Sequence, residues 1–317
     1  MATALVEAKH LKKYFKTPAG LLHAVDDVSF QIAPGETLGV VGESGCGKST
    51  LGRTILRLLE ATEGEVLYNG ENILQYGRKE MGKVHLNMQM IFQDPFTSLN
   101  PRLSISSIIA EPIKVCGILK DNRAIQDKVR QLMDLCGLPD RYVNTYPHEL
   151  DGGRRQRVGL ARALAVDPQF IVCDEPVSAL DVSIQAQILN LLMDLQDQKG
   201  LSYMFITHDL CVVRHISTNI MVMYMGKVVE YAPKDELFRH QAHPYTKALL
   251  SAIPTIDLGR RGRERVALTG EVANPIDPAP GCRFAPRCPY ATERCKEPQP
   301  LQEVAPGHYA ACVLCRS

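Results

Sequence analysis

The sequence predicts an α/β fold: a sheet of buried parallel strands, a small antiparallel sheet, a helical insertion and a small Cys-rich C-terminal extension. Short apolar runs alternate with segments of helical periodicity. A glycine-rich loop at 42–50 joins an apolar run at 38–41 to a helical pattern at 51–60. Polar residues directly follow two other apolar runs, at 170–173 and 203–207. Because ligands of parallel sheets bind at the carboxyl ends of the strands, these residues are candidates for a site.

The composition is that of an ordinary globular protein. The 317 residues allow one large domain or two. Lysine and arginine (36) nearly balance aspartate and glutamate (35), so we expect no nucleic-acid partner and no bulk attraction to anionic lipid. No stretch approaches the roughly 18 apolar residues of a membrane span, and residues 1–10 lack a signal-peptide core. We therefore expect a cytoplasmic protein, in which ten cysteines favour thiols or metal ligands over disulfides.

The glycine-rich loop fits the phosphate-binding pattern G-x-x-x-x-G-K-[ST]. It consists of Gly42, Glu43, Ser44, Gly45, Cys46, Gly47, Lys48, Ser49 and Thr50. Between a strand and a helix, its main-chain N–H groups can surround an anion while the helix presents its positive end. Lys48 would reach the β- and γ-phosphates, and the Ser49 hydroxyl would bind Mg²⁺. The loop therefore predicts nucleotide binding.

The segments on either side of this loop complete the predicted sheets. Apolar segments at 5–11 and 21–32 predict an antiparallel sheet, and 64–74 predicts a further hairpin. Tyr14 and Phe15 follow the first of these segments. Either ring could stack on a nucleobase, although on spacing alone packing in the core is the favoured interpretation, since aromatic side chains are mostly buried.

The middle of the chain predicts a strand followed by helices. The apolar run at 88–92 predicts a buried strand that ends at Gln93. Helical periodicity at 105–116 and 123–135, with glycine and proline as punctuation, then predicts an inserted helical subdomain at about 100–165.

Three later segments contain candidate functional groups. A glycine pair that precedes an Ala-rich helical run is a weak signal of a second anion site, in the segment Leu150, Asp151, Gly152, Gly153 and Arg154. The strand at 170–173 ends in Asp174 and Glu175, which could hold Mg²⁺ through water and orient an attacking water. Carboxylates also end many strands that have no catalytic role. A helix at 184–198 and a strand at 203–207 follow, and the strand ends at His208.

In this order, the segments resemble the ATP-binding cassette (ABC) ATPases over nearly the whole chain. The resemblance implies a P-loop ABC ATPase core at 1–250, with a RecA-like sheet, an antiparallel β subdomain and the helical subdomain. By motif, 42–50 resembles the Walker A loop, Gln93 the Q-loop glutamine, 150–154 the signature, 170–175 Walker B, 178–181 the D-loop and His208 the switch histidine.

The resemblance also implies a role for each site residue. Glu175 would polarise the attacking water, His208 would contact the γ-phosphate of ATP, and Asp174 would hold Mg²⁺ by way of water. Gln93 joins Ser49 as a magnesium ligand and is counted with the catalytic residues.

The family also implies how the nucleotide is enclosed. Phe15 becomes the preferred aromatic for stacking on adenine, with Tyr14 as the alternative. Two cassettes would enclose two ATP molecules, each held by the Walker loop of one chain and the signature of the other.

The signature departs from the usual L-S-G-G-Q at two positions, with Asp151 for serine and Arg154 for glutamine. A carboxylate accepts hydrogen bonds and repels phosphate, whereas a serine hydroxyl donates to it. One hypothesis is that the site completed by this signature in a partner chain is slow. The alternative is that Asp151 caps the following helix while the glycine amides bind the phosphate.

Residues 243–250 resemble the segment that opens the C-terminal extension of oligopeptide, dipeptide and nickel importer ATPases. This resemblance implies an ATP-hydrolysing subunit that energises import of di-/oligopeptides or nickel, peripheral on the cytoplasmic face of the cell membrane. The implied partners are a second ABC ATPase subunit, more readily a paralogue than a copy, two transmembrane permease subunits and, indirectly, an extracellular solute-binding protein.

The extension, at 251–317, contains the spaced cysteines Cys282, Cys288, Cys295 and Cys312, with Cys315 as an alternative fourth ligand. Four converging thiolates suit zinc or a [4Fe–4S] cluster. The spacing lacks the two C-x-x-C pairs of common zinc sites. The resemblance to importer ATPases with a similar pattern favours the cluster, with zinc or free thiols as the alternatives.

Two other functions remain open from the sequence. One is an ABC ATPase that acts outside transport; the single compact cassette disfavours it. The other is a regulatory ATP-binding subunit with a redox-sensing iron–sulfur tail, which the intact Glu175 and His208 disfavour.

Overall fold

The computed structural model describes residues 4–252 and 275–315. The strands of this part are β1 (Val6–Thr17), β2 (Gly20–Ile32), β3 (Thr37–Val41), β4 (Glu63–Tyr68), β5 (Glu71–Asn72), β6 (Met88–Ile91), β7 (Phe170–Asp174), β8 (Ser202–Thr207), β9 (Asn219–Tyr224), β10 (Lys227–Pro233), β11 (Gln302–Ala305) and β12 (His308–Ala310). The α-helices are α1 (Lys48–Ile55), α2 (Arg78–Asn87), α3 (Pro95–Ser98), α4 (Ile105–Val115), α5 (Asn122–Leu135), α6 (Gly152–Leu164), α7 (Val182–Lys199), α8 (Leu210–Ile216), α9 (Lys234–Arg239) and α10 (Pro244–Ser251).

The main sheet has eight strands in the order β11-β12-β10-β9-β3-β8-β7-β6. Its five strands from β9 to β6 are parallel. The strands β3, β7 and β8 are buried at every residue, which explains why their sequences are continuous apolar runs rather than alternating ones. Their carboxyl ends bring the phosphate loop, Asp174 and Thr207 to one edge of the sheet.

The small sheet is antiparallel, in the order β2-β1-β4-β5. Its apolar face packs with α1 and the main sheet in one core, to which Leu11, Val28, Leu51 and Met223 belong. This packing confirms the predicted hairpins and places β1 and β2 directly beside the phosphate loop.

The predicted helical subdomain consists mainly of α4, α5 and α6, which pack on one another. Residues Ile125, Val129 and Leu132 form the buried stripe of α5, at the spacing of one helix face. The core of these helices continues into the main sheet through Ile171 and Tyr203. The helices are thus anchored to the strands that end at the site.

The helices differ from the sequence prediction in two ways: α1 has other bounds, and α2, α3, α8, α9 and α10 were not predicted. Helix α1 covers 48–55 instead of 51–60, because it begins within the phosphate loop and because Arg57 has a φ of +51°, which a continuing helix does not allow. Helix α2 was not predicted, since charged residues and Gly82 weaken its periodicity. Among the described residues, no helix has both the length and the apolar character needed to cross a membrane.

The C-terminal extension packs closely on the cassette. Strand β12 pairs with β10, so the β11–β12 hairpin lengthens the main sheet. Residues 275–277 run beside β2: His23 N–H donates to Pro275 O (3.0 Å), and Asp277 N–H donates to Leu21 O (2.8 Å). A third core joins β9 and β10 to Tyr245 and Phe284.

Candidate nucleotide-binding site

The phosphate loop leaves β3 and enters α1, and its turns require glycine. Gly47 has a φ of +104°, and a Cβ there would lie 1.9 Å from the carbonyl oxygen of Ala24. Gly42 has a φ of +154°, and a Cβ there would lie 2.2 Å from the Met223 carbonyl oxygen. Backbone atoms cannot move aside cheaply, so the loop keeps this shape only with glycine at both positions.

Lys48 is buried within the loop, at 4% exposure. Its Nζ donates to the carbonyl oxygens of Gly42 (2.8 Å) and Glu43 (2.9 Å). These bonds hold the ammonium at the mouth of the loop, where it can exchange carbonyl oxygens for phosphate oxygens.

Ser49 and Asp174 form the candidate magnesium position. The Ser49 hydroxyl donates to Asp174 Oδ1 at 2.6 Å. Asp174 is fully buried and its Oδ2 accepts no hydrogen bond from the residues that the structure describes, although Arg53 lies 3.8 Å from that oxygen. Burial raises the pKa of the Asp174 carboxyl. A buried oxygen without a donor, beside a serine hydroxyl, suits a hydrated divalent cation.

Glu175 lies between Gln93 and His208. Gln93 Nε2 donates to Glu175 Oε2 (3.0 Å), and His208 Nδ1 lies 3.4 Å from Glu175 Oε1. The Glu175 backbone has a φ of +47°, which is strained for a residue with a Cβ, and its N–H donates to Ile206 O (2.9 Å). Glu175 directly follows β7, so Gln93 holds its carboxylate near the carboxyl end of that strand.

One cavity of about 230 Å³ connects these groups with the small sheet. It is lined by Phe15, Leu22, His23, Ala24, Ser44, Gly45, Gly47, Lys48, Ser49, Thr50, Gln93, Glu175, Gly226 and Pro275. Phe15 lines it, whereas Tyr14 does not. The Tyr14 ring stacks on His23 (centroids 3.9 Å apart) and its hydroxyl donates to Asp26 (2.5 Å), so burial raises its pKa.

Sequence reasoning missed five residues that line this cavity: Leu22, His23, Ala24, Gly226 and Pro275. His23 comes from the β1–β2 hairpin, and Pro275 comes from the C-terminal extension, 227 residues after Lys48 in the chain. No motif marks either residue: His23 lies within β2, and Pro275 reaches the cavity through the pairing of 275–277 with β2. The extension therefore contributes to the predicted nucleotide site.

The signature segment lies away from this cavity, at the start of α6. The Asp151 side chain caps the helix by accepting from the Arg154 N–H (2.8 Å), and it is also paired with the Arg154 guanidinium. A Cβ on Gly153 would lie 2.6 Å from Ile184 Cγ2, so this glycine permits α6 to pack on α7. The capping interpretation of Asp151 agrees with this geometry; a slow partner site stays a prediction.

The four spaced cysteines line one small cavity in the extension, here called the cysteine cavity: Cys282, Cys288, Cys295 and Cys312. Cys315 does not line it, and its Sγ donates to Ala242 O (3.5 Å). Within 4–252 and 275–315, no three His, Cys, Asp or Glu side chains form a group that could hold a metal ion. The geometry thus supports neither zinc nor the cluster directly.

Two buried polar atoms beside the cysteine cavity lack a hydrogen-bond partner among the described residues. His243 is buried and its Nε2 makes no hydrogen bond, and neither does Gln299 Oε1. His243 Nδ1 accepts from the Tyr245 N–H (3.1 Å), and burial lowers the pKa of His243 to about 4. The neutral ring therefore carries its proton on Nε2, as an unused donor.

Comparison with known proteins agrees with this geometry. Residues 25–178 match the ABC transporter family, and residues 229–295 match the oligopeptide/dipeptide transporter C-terminal region. The fold and the site define an ATP-binding cassette, the ATPase unit of an ABC transporter.

Full-length relatives narrow this class. The chain is 51% identical over 316 residues to the oligopeptide transport ATP-binding protein OppF of Bacillus subtilis, covering 98% of this chain and 97% of the relative. It is 48% identical to the dipeptide transport ATP-binding protein DppF of Haemophilus influenzae, covering 98% and 96%. The chain belongs to the oligopeptide/dipeptide family of ABC transporter ATP-binding subunits and is an ATPase.

Solved structures share the cassette fold. The dimeric cassette MJ0796 in a post-hydrolysis state with ADP and Pi superposes with a TM-score of 0.66 at 28% identity, covering 72% of this chain and 98% of that one. The cbiO1 subunit of Clostridium perfringens, part of the transporter complex cbiONQ, gives 0.67 at 25% identity, covering 75% and 92%. The predicted α/β cassette is therefore confirmed.

Proposed function

We propose that this chain hydrolyses ATP to energise the import of oligopeptides or dipeptides through an ABC transporter. The main support from the site is that one cavity contains the phosphate loop, Gln93 and Glu175, with His208 against Glu175. The substrate class rests on the relatives named for oligopeptide and dipeptide transport. Neither a role outside transport nor a purely regulatory role is favoured by these relatives.

The residues would divide the reaction as follows. Lys48 would hold the β- and γ-phosphates, Ser49 and Gln93 would bind Mg²⁺, and Asp174 would hold it through water. Glu175 would polarise the attacking water, oriented by Gln93 and His208, which lie within 3.4 Å of its carboxylate. Phe15 would stack on adenine at the far end of the cavity.

The signature of this chain would act on a second nucleotide. Residues 150–154 lie outside the cavity that contains Lys48, as expected if they complete the site of a second cassette. That cassette, preferably a paralogue, would join two transmembrane permease subunits at the cytoplasmic face of the cell membrane, and an extracellular solute-binding protein would deliver the peptide.

A reconstituted transporter tests this function. The chain is co-expressed with candidate permease and ATPase subunits, placed in proteoliposomes, and assayed for uptake of labelled peptides and of Ni²⁺. We expect ATP-dependent peptide uptake that is lost with Glu175→Gln. Uptake of nickel but not of peptide would contradict the proposed substrate class. An active complex with this chain as its only ATPase subunit would contradict the proposal that the second cassette is a paralogue.

We further propose that the cysteine cavity holds a [4Fe–4S] cluster. Four soft thiols and the unused His243 Nε2–H line one cavity, and N–H donors commonly hydrogen-bond cluster sulfurs. In a cluster each cysteine binds a different iron, so the sulfurs need not converge on one point as they do around zinc. Its role would be structural or regulatory.

Iron and acid-labile sulfide content of anaerobically purified protein tests the cluster, together with a visible spectrum. We expect about four iron and four sulfide per chain, lost with Cys288→Ser and retained with Cys315→Ser. Stoichiometric zinc, or no metal, would contradict the proposal and leave the ATPase unaffected.

A further inference from the structure

The C-terminal extension contacts the phosphate loop through a charged fork. Arg287 Nη1 donates to Glu43 Oε2 (2.8 Å), and Nη2 donates to Glu43 Oε1 (3.1 Å). The Arg287 side chain is 7% exposed and that of Glu43 is 23% exposed. Two parallel bonds between a guanidinium and a carboxylate fix both the distance and the orientation of the pair.

A second contact holds the main chain of the same residue. The Glu43 N–H donates to the Tyr245 hydroxyl (2.9 Å). Tyr245 belongs to α10 and is fully buried, and its ring contacts those of Tyr224 (4.7 Å between centroids) and Phe284 (5.3 Å). The hydroxyl is therefore held in place by a packed aromatic cluster.

Glu43 is linked to Lys48 from the other side. The Glu43 carbonyl oxygen accepts from Lys48 Nζ at 2.9 Å. Side chain, N–H and carbonyl of this one residue thus contact Arg287, Tyr245 and Lys48 in turn. Nothing in the pattern G-x-x-x-x-G-K-[ST] specifies this residue, because Glu43 occupies a variable position of it.

We propose that Arg287 and Tyr245 are positioning residues of the phosphate loop, which act on nucleotide binding through Glu43. The inference rests on the proposed role of residues 42–50 in holding the phosphates. Arg287 offsets a carboxylate that would otherwise repel the triphosphate, and Tyr245 fixes the N–H of the same residue so that the loop stays open for the anion.

Removing Arg287 and removing the Glu43 charge should have coupled effects on nucleotide binding. Removing Arg287 leaves the negative charge of Glu43 unpaired in a partly buried place beside the anion site. Charges repel one another more strongly there than in bulk water, because the protein screens them less. Removing the Glu43 charge as well cancels this repulsion. The two substitutions should therefore be strongly non-additive.

Nucleotide affinity of the purified full-length chain provides the test, with a fluorescent ATP analogue and Mg²⁺. We expect Arg287→Met to bind about tenfold more weakly, because one unpaired charge now opposes the phosphates. Arg287→Lys should lose less, since it keeps the charge without the fork. Arg287→Met with Glu43→Gln should recover to within about threefold of the wild type. Arg294→Met, an exposed arginine of the same extension, is the matched control and should bind normally.

The measured affinities distinguish failure of this proposal, misfolding of a variant and failure of the phosphate-loop assignment. If Arg287→Met binds like the wild type, or if the double variant is as weak as Arg287→Met, the proposal is overturned. If Arg287→Met does not fold, Tyr245→Phe removes only the hydroxyl and should weaken binding about threefold, the scale of one neutral hydrogen bond; unchanged affinity there also overturns it. If Lys48→Ala binds as the wild type does, the assignment of the phosphate loop fails instead.

Discussion

Asp151 offers a quantitative test of what the altered signature does. Its carboxylate accepts from the Arg154 N–H at 2.8 Å as the N-cap of α6. Replacing an N-cap of this kind by alanine costs about 1 kcal/mol. The ion pair with Arg154 adds a few tenths of a kcal/mol, since the two side chains are 55% and 43% exposed. Asp151→Ala should therefore lower the free energy of unfolding by about 1 to 1.5 kcal/mol.

The variant Asp151→Ser distinguishes the capping role of the side chain from the effect of its negative charge. Asp151→Ser keeps a side-chain oxygen for the cap, so we expect its unfolding free energy to stay within a few tenths of a kcal/mol of the wild type. Urea denaturation of the two variants, followed by circular dichroism, measures both values. Equal stability of Asp151→Ala and the wild type would refute the capping role.

Turnover in the assembled transporter then tests the charge. Because Arg154 already offsets the carboxylate, we expect Asp151→Ser to leave the ATPase rate unchanged. Arg154→Gln alone should lower the rate, since it leaves unpaired a carboxylate that the proposed pair of cassettes would place near the γ-phosphate of the partner site. The double variant restores the usual L-S-G-G-Q and should regain the wild-type rate. A several-fold faster Asp151→Ser complex would instead show that the native signature slows one site.

Three other substitutions test the remaining site residues. Glu175→Gln should lower turnover by about 10²- to 10⁴-fold while ATP binding is retained; equal loss of binding would contradict a role limited to the chemical step. Ser49→Ala removes the only hydrogen bond to the buried Asp174 carboxylate among the described residues and should weaken the Mg²⁺ dependence of nucleotide binding, measured by magnesium titration, with Ser44→Ala as the control. Phe15→Ala should weaken ATP affinity by about 1 kcal/mol or more, whereas Tyr14→Leu, which removes a ring outside the cavity, should not; a larger loss with Tyr14→Leu would assign adenine stacking to Tyr14.

Motif and periodicity predicted four strands of the central sheet, β3, β6, β7 and β8, because these strands are short, apolar and largely buried; the other four, β9 to β12, were not predicted. The strand at Phe170–Asp174 and the helix at Asn122–Leu135 lie within one or two residues of their predicted ends. In each case the local pattern and the tertiary environment favour the same structure. The groups at the strand ends, such as Glu175, followed from this order along the chain.

Other features depend on contacts that no local pattern encodes. Pro275 reaches the nucleotide cavity through pairing with β2, and Arg287 reaches Glu43 across 244 positions of sequence. The choice between Phe15 and Tyr14 could not be made from composition, because it depends on which side of β1 faces the cavity at a register shift. These contacts join residues that are far apart in the sequence, and local sequence periodicity carries no information about them.

The β11–β12 hairpin has a practical consequence for anyone who shortens this protein. Cutting the chain at about residue 250, where a minimal cassette would end, strips β12 from β10 and leaves the main-chain N–H and C=O groups of β10 facing solvent. Bare strand edges recruit other chains, and the same cut also exposes the side of Tyr224 that Phe284 covers. A truncated cassette should therefore tend to aggregate, so the extension belongs in any preparation meant to represent the native ATPase.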